Sequence, residues 1–255
     1  MNYGKTRIIV CEDEADLGRR AATAVAAAMR KRLAQHDEIR MIFAAGQSQM
    51  AFLDDLAQEP GLDWQRVVCL NMDDFWDPRL QVECSCGYQT RTQLYDKVKP
   101  KRFELVRYNA PDPEAEARRY AGVLEAAQPV DILCQGIGMS GHLALDEPYQ
   151  ADFDTELLVK VVDVDEQSKR QLLADPNFRA AGYIPAKGIT MTIPAMLMAA
   201  EIFTMVPLRL KREIVTRVLL IRTPTTAVPA TILSRHEGTL FLDRDSCPPA
   251  WGGRP

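Results

Sequence analysis

The sequence lacks the features that mark membrane, secreted and nucleic-acid-binding proteins. None of its apolar runs approaches the roughly 20 residues that a membrane-spanning helix needs. The first residues have no apolar core of a signal peptide, because the acidic residues 12–14 follow the short apolar run 8–11 at once. A net charge of −4 gives no electrostatic reason to expect nucleic acid or an anionic membrane as a partner. We therefore expect a cytoplasmic protein that binds neither.

Histidine is scarce, and the cysteines are not spaced for a metal. The chain has three histidines and six cysteines. Without a secretion signal, the cysteines are expected to be free thiols in a reducing compartment. Cys84 and Cys86 form a single C-x-C motif, and no histidine lies near it in the sequence. We expect no metal there and interpret both cysteines as loop or buried thiols.

The abundant residues are typical of a globular α/β protein. The apolar fraction is 47% and the charged fraction is 26%, and short β-like runs alternate with longer helical periods. Buried strands separated by helices predict a mostly parallel, Rossmann-like sheet covered by helices on both faces. No repeat or linker marks a second domain. We predict a single domain over residues 1–247 and a flexible tail, rich in Pro and Gly, over 248–255.

The apolar periodicity also places the individual elements. The predicted strands are 6–11, 39–45, 66–72, 103–108, 129–135, 156–164, 188–193, 201–206 and 238–243. The predicted helices are 14–35, 48–57, 112–127, 166–174, 193–200, 209–220 and 228–235. In such sheets, ligands bind beyond the carboxyl ends of the strands, where the strand order reverses. Three segments at predicted strand ends are candidates for that edge: 44–48, 71–74 and 136–142.

A glycine-rich turn follows the predicted strand 129–135. The stretch "QGIGMSGHLALDEP" satisfies the G-x-G-x-x-G pattern of dinucleotide-binding turns. That fingerprint also requires a helix to begin within the loop, so that its N-terminus faces the pyrophosphate. Asp163, at the end of the next predicted strand, could mimic the acid that binds the ribose in such proteins. However, Pro148 follows soon after the last glycine and no helical period appears, so the helix that the fingerprint requires is missing. We therefore interpret the glycines as bringing the backbone close to a ligand.

The same turn carries a histidine and a carboxylate. His142 lies among the glycines, and Glu147 follows it closely enough in the chain to fold back towards it. A lone histidine is most often structural. A histidine that is flanked by glycines, followed by a carboxylate and placed at a strand end is a better catalytic candidate. We therefore predict that His142 and Glu147 act together.

These segments carry a resemblance. "GIGMSGHLALDEP" is similar to the signature G-x-G-x-D-G-H-x-A-F-N-E-P of the glucosamine-6-phosphate deaminase/isomerase family, which shares its fold with 6-phosphogluconolactonases. "VVCLNMDDFWD" is similar to the family's V-V-T-F-N-M-D-E-Y, and "FAAGQSQMAFLDDL" stands in place of its phosphate-binding L-P-T-G-G-T-P loop. The resemblance covers roughly residues 14–245. It implies aldose–ketose isomerisation of an amino-sugar phosphate or related hexose phosphate, with or without ammonia release.

The resemblance also implies roles for the site residues. Asp73 matches the base that moves a proton between two carbons, a task that suits a carboxylate with a raised pKa. Asp74 stands where the family usually has Glu and is expected to contact substrate, although two acids at a strand end could equally cap a helix. His142 would protonate the ring oxygen, with Glu147 setting its tautomer. No metal or organic cofactor is implied, because each step is a proton transfer.

The chain departs from the family at one position beside the histidine. Ser140 stands where the family has Asp. A serine can donate and accept a hydrogen bond but supplies no negative charge, so the imidazolium loses a charged partner. The resemblance places both Ser140 and Gly138 beside the sugar. The departure leaves open whether ring opening has changed.

The phosphate end departs as well. The expected substrate contacts there are Ala45, Gly46, Gln47 and Ser48 in the loop and Lys211 after the strand 201–206. Lys211 could equally be a solvated lysine on a basic helix. The family's arginine aligns with Asn177, with Arg179 close by. The anionic group of the substrate could therefore be a weakly held phosphate or another acid, and a non-phosphorylated sugar also stays open.

Three further expectations follow from the resemblance. Segment 82–98 replaces the family's lid and is expected to be a long loop from which Tyr88 and Arg91 could reach substrate. Family members are often oligomers, so a homo-oligomer is expected. Two other functions stay open, namely lactone hydrolysis of the 6-phosphogluconolactonase type and an inactive relative that only binds sugar.

Overall fold

An eight-stranded sheet forms the centre of the protein in the computed structural model, which describes residues 1–173 and 176–254. The strands of the chain are β1 (Asn2–Tyr3), β2 (Thr6–Cys11), β3 (Ile39–Phe43), β4 (Val67–Asn71), β5 (Asp73–Trp76), β6 (Arg102–Glu104), β7 (Ile132–Gln135), β8 (Val159–Asp163), β9 (Lys187–Met191), β10 (Glu201–Val206) and β11 (Gly238–Asp243). The central sheet has the order β1-β2-β11-β10-β7-β3-β4-β6. Every neighbouring pair in it is parallel except the β1–β2 hairpin. The predicted mostly parallel sheet is confirmed.

The strand order reverses between β3 and β7. From β3 the chain proceeds outward through β4 to β6, and from β7 it proceeds the other way through β10 to β11. The two strands are direct neighbours, with Met41 opposite Ile132 and Phe43 opposite Cys134. Because successive connections leave β3 and β7 in opposite directions, a crevice opens between their carboxyl ends.

Helices cover both faces of this sheet. The α-helices are α1 (Glu14–Leu33), α2 (Met50–Gln58), α3 (Cys86–Thr90), α4 (Asp96–Val98), α5 (Pro113–Ala126), α6 (Glu166–Leu172), α7 (Pro176–Ala181), α8 (Ile193–Leu197) and α9 (Arg212–Leu220). Side chains alternate across the strands: Met41 and Phe43 pack with α1 and α2, whereas Ile42 packs with α5, α8 and α9. The alternation gives one apolar core on each face, as a doubly covered sheet requires.

A second, smaller sheet was not anticipated. Strands β5, β9 and β8 pair antiparallel, although the sequence predicted 156–164 and 188–193 within the parallel sheet. Only Met72 separates the end of β4 from the start of β5, so one extended stretch contributes to two sheets. A third apolar cluster, which includes Phe75, Leu145 and Phe178, packs around the small sheet. Strand pairing depends on contacts remote in sequence, which apolar runs do not encode.

Other boundaries also differ from expectation. Segment 82–98, predicted as a long loop, contains α3, a π-helical turn (Arg91–Tyr95) and α4. Ser85 caps α3 by accepting from the backbone N–H of Tyr88 (3.1 Å), a cap that favours a helix there. The helix predicted over 228–235 is present as a 3₁₀ helix, Pro229–Arg235, and the strand predicted over 103–108 is limited to β6. The end of the helix predicted over 166–174 lies outside the described residues.

The C-terminal segment 248–254 contacts the rest of the protein. Trp251 packs against the core, and the backbone N–H of Arg254 donates to the carbonyl of Arg244 (2.8 Å). Flexibility of the tail, whose last residue lies outside the described residues, stays a prediction. Across 1–173 and 176–254, no helix combines the length and apolar character needed to cross a membrane.

Candidate active site

Two loops meet at the crevice between β3 and β7. The backbone N–H of Ala44 donates to the carbonyl of Cys134 (2.9 Å), which keeps the strand ends together. Gly46 then adopts φ 97°, a conformation that favours glycine, and the chain turns into a 3₁₀ turn, Gln47–Gln49, that leads into α2. The predicted loop of Ala45, Gly46, Gln47 and Ser48 therefore lies at the strand reversal. Backbone N–H groups at the start of a helix favour an anion.

Asp73 and Asp74 follow β4 at the same edge but have different surroundings. Asp74 is fully buried and accepts hydrogen bonds from the Ser85 hydroxyl (2.6 Å) and from the backbone N–H groups of Cys86 (2.9 Å) and Gly87 (3.0 Å). Asp73 keeps 8% of its surface, and no donor within 1–173 and 176–254 bonds its carboxylate. Asp74 thus anchors α3, while the Asp73 carboxylate is available. The predicted substrate contact of Asp74 stays a prediction.

The pKa values of both carboxyl groups are raised. Burial, and then the neighbouring Asp74, raises the pKa of Asp73 to about 7. Burial also raises the pKa of Asp74 to about 7, against four hydrogen-bond donors that lower it. Because those donors stabilise the ionised form of Asp74 alone, we assign the shared proton to Asp73. A carboxyl that titrates near neutrality can take and return a proton.

The glycine loop makes room for the imidazole. A Cβ on Gly138 would lie 1.8 Å from Nε2 of His142, so only glycine leaves space for the ring. Gly141 adopts φ 91°, and its carbonyl accepts from the backbone N–H of Ala230 (2.8 Å). The loop closes on itself, since the N–H of Gly138 donates to the carbonyl of His142 (3.0 Å). The loop is built to hold His142, as the sequence predicted, and no helix follows it.

His142 is held by a carboxylate and a hydroxyl. Its Nδ1 lies 2.6 Å from Oε1 of Glu147 and 2.9 Å from Oγ of Ser140. The Ser140 hydroxyl donates to Oε2 of Glu147 (2.5 Å), and the Ser168 hydroxyl of α6 donates to Oε1 (2.6 Å). Burial raises the pKa of Glu147, but the hydrogen bonds from His142, Ser140 and Ser168 outweigh it and leave that pKa lowered. An ionised Glu147 fixes the proton of His142 on Nδ1, which leaves Nε2 for chemistry.

The histidine loop is tied to the strand that faces Asp73. Asp73 pairs directly with Thr190 across β5 and β9. The hydroxyl oxygen of Thr190 accepts from the backbone N–H of Leu145, between His142 and Glu147 (3.2 Å). A Cβ on Gly188, two residues before Thr190 on β9, would lie 2.5 Å from the side chain of Leu145 and 3.3 Å from the carbonyl of Asp74. The predicted base and the predicted histidine therefore belong to adjoining segments.

Lys211, in the 3₁₀ turn that precedes α9, contacts the glycine loop. Its Nζ donates to the carbonyl of Ile137 (2.8 Å), and only 5% of the residue is exposed. Burial lowers its pKa to about 8. The alternative of a solvated lysine is wrong, because the side chain runs inward from the 3₁₀ turn that precedes α9. A buried ammonium beside the loop that follows β7 suits an anionic group.

Most of the chain matches the model of one known family. The model of the family described as glucosamine-6-phosphate isomerases/6-phosphogluconolactonase matches residues 12–242. The chain belongs to that family.

Named relatives and solved structures agree with the family. Glucosamine-6-phosphate deaminases of Bacillus thuringiensis (strain Al Hakam) and Bacillus anthracis (strain A0248) are each 29% identical over 204 residues, which cover 80% of this chain and 75% of the relative. The structure of a monomeric glucosamine-6-phosphate deaminase matches with a TM-score of 0.84 at 23% identity, over 94% of this chain and 98% of that one. A 6-phosphogluconolactonase from Thermotoga maritima matches with a TM-score of 0.73 at 19% identity, over 94% and 99%. At these identities, the structural matches establish the fold.

Other residues that the family resemblance suggested lie differently. Arg91 pairs with Asp96 on an exposed part of the π-helical turn (3.2 Å). Asn177, aligned with the family's arginine, donates to the carbonyl of Glu83 (3.1 Å) and so braces α7 against the segment before α3. Neither contact reaches the His142 loop. Across 1–173 and 176–254, no group of three or more His, Cys, Asp or Glu side chains is arranged to hold a metal ion.

Two polar residues that hold the site were missed in the sequence. Ser168 bonds Glu147 and Thr190 bonds the backbone of Leu145, yet the sequence singled out neither residue as a site candidate. Ser168 lies in a predicted helix and Thr190 in a predicted strand, where a hydroxyl residue is unremarkable. Only the pairing of β5 with β9 and the docking of α6 bring them to the site.

Proposed function

We propose that this chain is a sugar-phosphate isomerase/deaminase that acts on an amino-sugar phosphate or a related hexose phosphate. One observation carries the proposal: the imidazole of His142, with Nδ1 held by Glu147, lies on a loop bonded to the strand opposite the unpaired carboxyl of Asp73. The membership of the family and the deaminase relatives support the same reaction class.

Asp73 is proposed as the proton shuttle. It takes the proton from C2 of the open-chain aldose, which gives an enediol or enolamine, and returns it to C1 to leave a ketose or a ketimine. Water then hydrolyses a ketimine and releases ammonia. A group that does both halves of this transfer works best with a pKa near the working pH, as burial gives Asp73.

His142 is proposed to open the sugar ring. Protonated on Nε2, it gives that proton to the ring oxygen as the C1–O bond breaks, while Glu147 on Nδ1 stabilises the imidazolium. Ser140 contributes a hydroxyl where the family has a carboxylate. One ionised acid thus accompanies the histidine.

An anionic group of the substrate is proposed to bind between Lys211 and the loop that contains Gly46 and Ser48. The loop offers backbone N–H groups and one hydroxyl, and Lys211 offers a buried ammonium. Together with Ala45 and Gln47 in the same loop, these residues form the proposed phosphate site. Gly138 and Ser140 are proposed to border the sugar.

The test uses purified protein with glucosamine 6-phosphate and with unsubstituted hexose 6-phosphates. We expect ketose formation, with ammonia release from the amino sugar, and loss of both in Asp73→Asn and His142→Gln. Ketose without ammonia from any substrate would limit the function to isomerisation. Hydrolysis of 6-phosphogluconolactone with no isomerase activity would refute the proposal in favour of the lactonase alternative. Binding of sugar phosphate without turnover would indicate an inactive relative.

The assembly and location are proposed with the function. We propose a cytoplasmic enzyme whose partner is the small-molecule substrate. A homo-oligomer, expected from the resemblance, is a separate proposal, because one structurally similar deaminase is monomeric. Light scattering during size-exclusion chromatography measures the mass in solution directly.

A further inference from the structure

We propose that Ser168, on α6, is a positioning residue that fixes the carboxylate of Glu147 against His142. Its hydroxyl donates to Oε1 of Glu147 over 2.6 Å, from a segment that is remote in sequence from the loop. The inference rests on the proposed function, since it assigns Glu147 its catalytic orientation through His142. Ser168 itself contacts neither the imidazole nor any reacting atom.

The geometry shows why one hydroxyl is not enough. Ser140 donates to Oε2 of Glu147, and Ser168 donates to Oε1, the oxygen that also faces Nδ1 of His142. Two donors on two oxygens define the plane of the carboxylate. Without Ser168, the carboxylate keeps only Ser140 and the imidazole as partners. Both lie on the same loop as Glu147, so no group outside the loop limits rotation about its terminal bond. Terminal torsions of this kind are broad and soft, so orientation must come from partners.

The position of α6 gives Ser168 its reach. Asp165 accepts a hydrogen bond from the backbone N–H of Ser168 and so caps the helix start. Val164, Leu172 and Phe178 anchor the region in the third apolar cluster beside the small sheet. The Ser168 hydroxyl therefore links the packing of that cluster to the orientation of Glu147. We infer that the docking of α6 and the assembly of the histidine–glutamate pair depend on each other.

A matched set of variants tests the role. Ser168→Ala removes the hydroxyl, and Ser168→Thr keeps it. Ser234→Ala removes a hydroxyl that donates to the carbonyl of Thr231 (2.8 Å), within the 3₁₀ helix Pro229–Arg235 and away from Glu147. The first readout is the pKa of the Glu147 carboxyl, followed by ¹³C NMR of the labelled side chain and assigned with Glu147→Gln. This readout does not depend on turnover.

We expect that Ser168→Ala raises the pKa of Glu147 by about one unit, because a donor to its ionised form is lost. Ser168→Thr and Ser234→Ala should leave that pKa unchanged. Tyr149 is a neighbouring phenol. Burial first, and then the charges of Asp165 and Glu147, raise its pKa to about 12, so it stays protonated across the titration. Its protonation therefore does not complicate the measurement.

The second readout is turnover of the substrate identified above. We expect Ser168→Ala to lower kcat about tenfold with KM nearly constant, because the hydroxyl orients a catalytic group and does not bind sugar. An unchanged Glu147 pKa in Ser168→Ala would overturn the inference, whatever the activity. Turnover absent in the unmodified chain would overturn the proposed function but leave the titration result standing. If Ser168→Ala unfolds, Ser168→Cys replaces it, because cysteine is close to serine in size but its thiol is only a weak donor. This variant should raise the pKa of Glu147 in the same direction.

Discussion

Asp73 and Thr190 face each other across strands β5 and β9, and the Thr190 hydroxyl oxygen accepts the backbone N–H of Leu145 over 3.2 Å. The residue opposite the proposed base therefore holds the loop that carries His142 and Glu147. The hydroxyl also donates to the carbonyl of Met191 (3.0 Å), which fixes its direction. The two segments proposed to be catalytic are thereby joined through one side chain of the small sheet.

Replacement of Thr190 tests this connection. Thr190→Val should cost about 1–3 kcal/mol of stability, because the N–H of Leu145 is left buried without an acceptor. Thr190→Ser keeps the oxygen and should lie close to the unmodified protein. Urea denaturation gives the free energies of unfolding, and kcat should fall more in the valine variant than in the serine variant. Equal stability of the two variants would contradict the role of the hydroxyl.

Asp73 and Asp74 should respond in opposite ways to neutralisation. Asp73→Asn should lower kcat by about 10³-fold, since the shuttle is lost, while the fold remains intact. Asp74→Asn should instead destabilise the region of α3, because an amide cannot accept from Ser85, Cys86 and Gly87 together. Kinetics and thermal melts of both variants measure this contrast. A folded, fully active Asp73→Asn protein would contradict the assignment of the base.

The raised pKa of Asp73 also predicts a pH dependence of stability. The folded state holds this proton up to about pH 7, whereas the unfolded chain releases it near pH 4, so stability falls as pH rises between these values. Asp73→Asn removes that loss. At pH 8 the variant should therefore be more stable than the unmodified protein by about 4 kcal/mol, with little difference at pH 4. Denaturation at both pH values measures the effect, and a constant difference would contradict it.

Gly138 should tolerate no side chain. A Cβ there would overlap Nε2 of His142, so Gly138→Ala should displace the ring and abolish ring opening. Gly122, on α5, is a matched control, because a Cβ at that position meets open space. Gly122→Ala should keep full activity and gain about 0.5–1 kcal/mol of stability from helix propensity. Activity of both variants, with the His142 ring signals by NMR, checks the prediction.

Lys211 should matter for the anionic end of the substrate. Lys211→Met should raise KM for a sugar phosphate far more than it lowers kcat, because it removes a charge from the proposed phosphate site. In the unmodified enzyme, kcat/KM for such a substrate should fall as pH rises past about 8, where the free lysine loses its proton. Lys101→Met, at an exposed lysine paired with Glu38, is the control. A KM unaffected by Lys211→Met would indicate a substrate without phosphate.

The sequence by itself determined the central sheet and the identity of the catalytic candidates. Alternating apolar runs and helical periods are local signals, so strands such as β2 and β10 and helices such as α1 were found near their true bounds. The glycines around His142 predicted a tight loop. Gly141 adopts a positive φ that favours glycine, and a side chain on Gly138 would overlap the imidazole ring.

Tertiary structure alone decided which polar groups serve the site. The family resemblance separated Asp73 from Asp74, but it did not show their surroundings. A strand alternates its side chains, and the donors of the segment 85–87 reach only Asp74. The antiparallel sheet of β5, β9 and β8 brings Thr190 to the loop, and the docking of α6 brings Ser168 to Glu147. These hydrogen bonds join residues that are remote in the chain. Their formation depends on the distances set by the tertiary fold, which local sequence patterns do not predict.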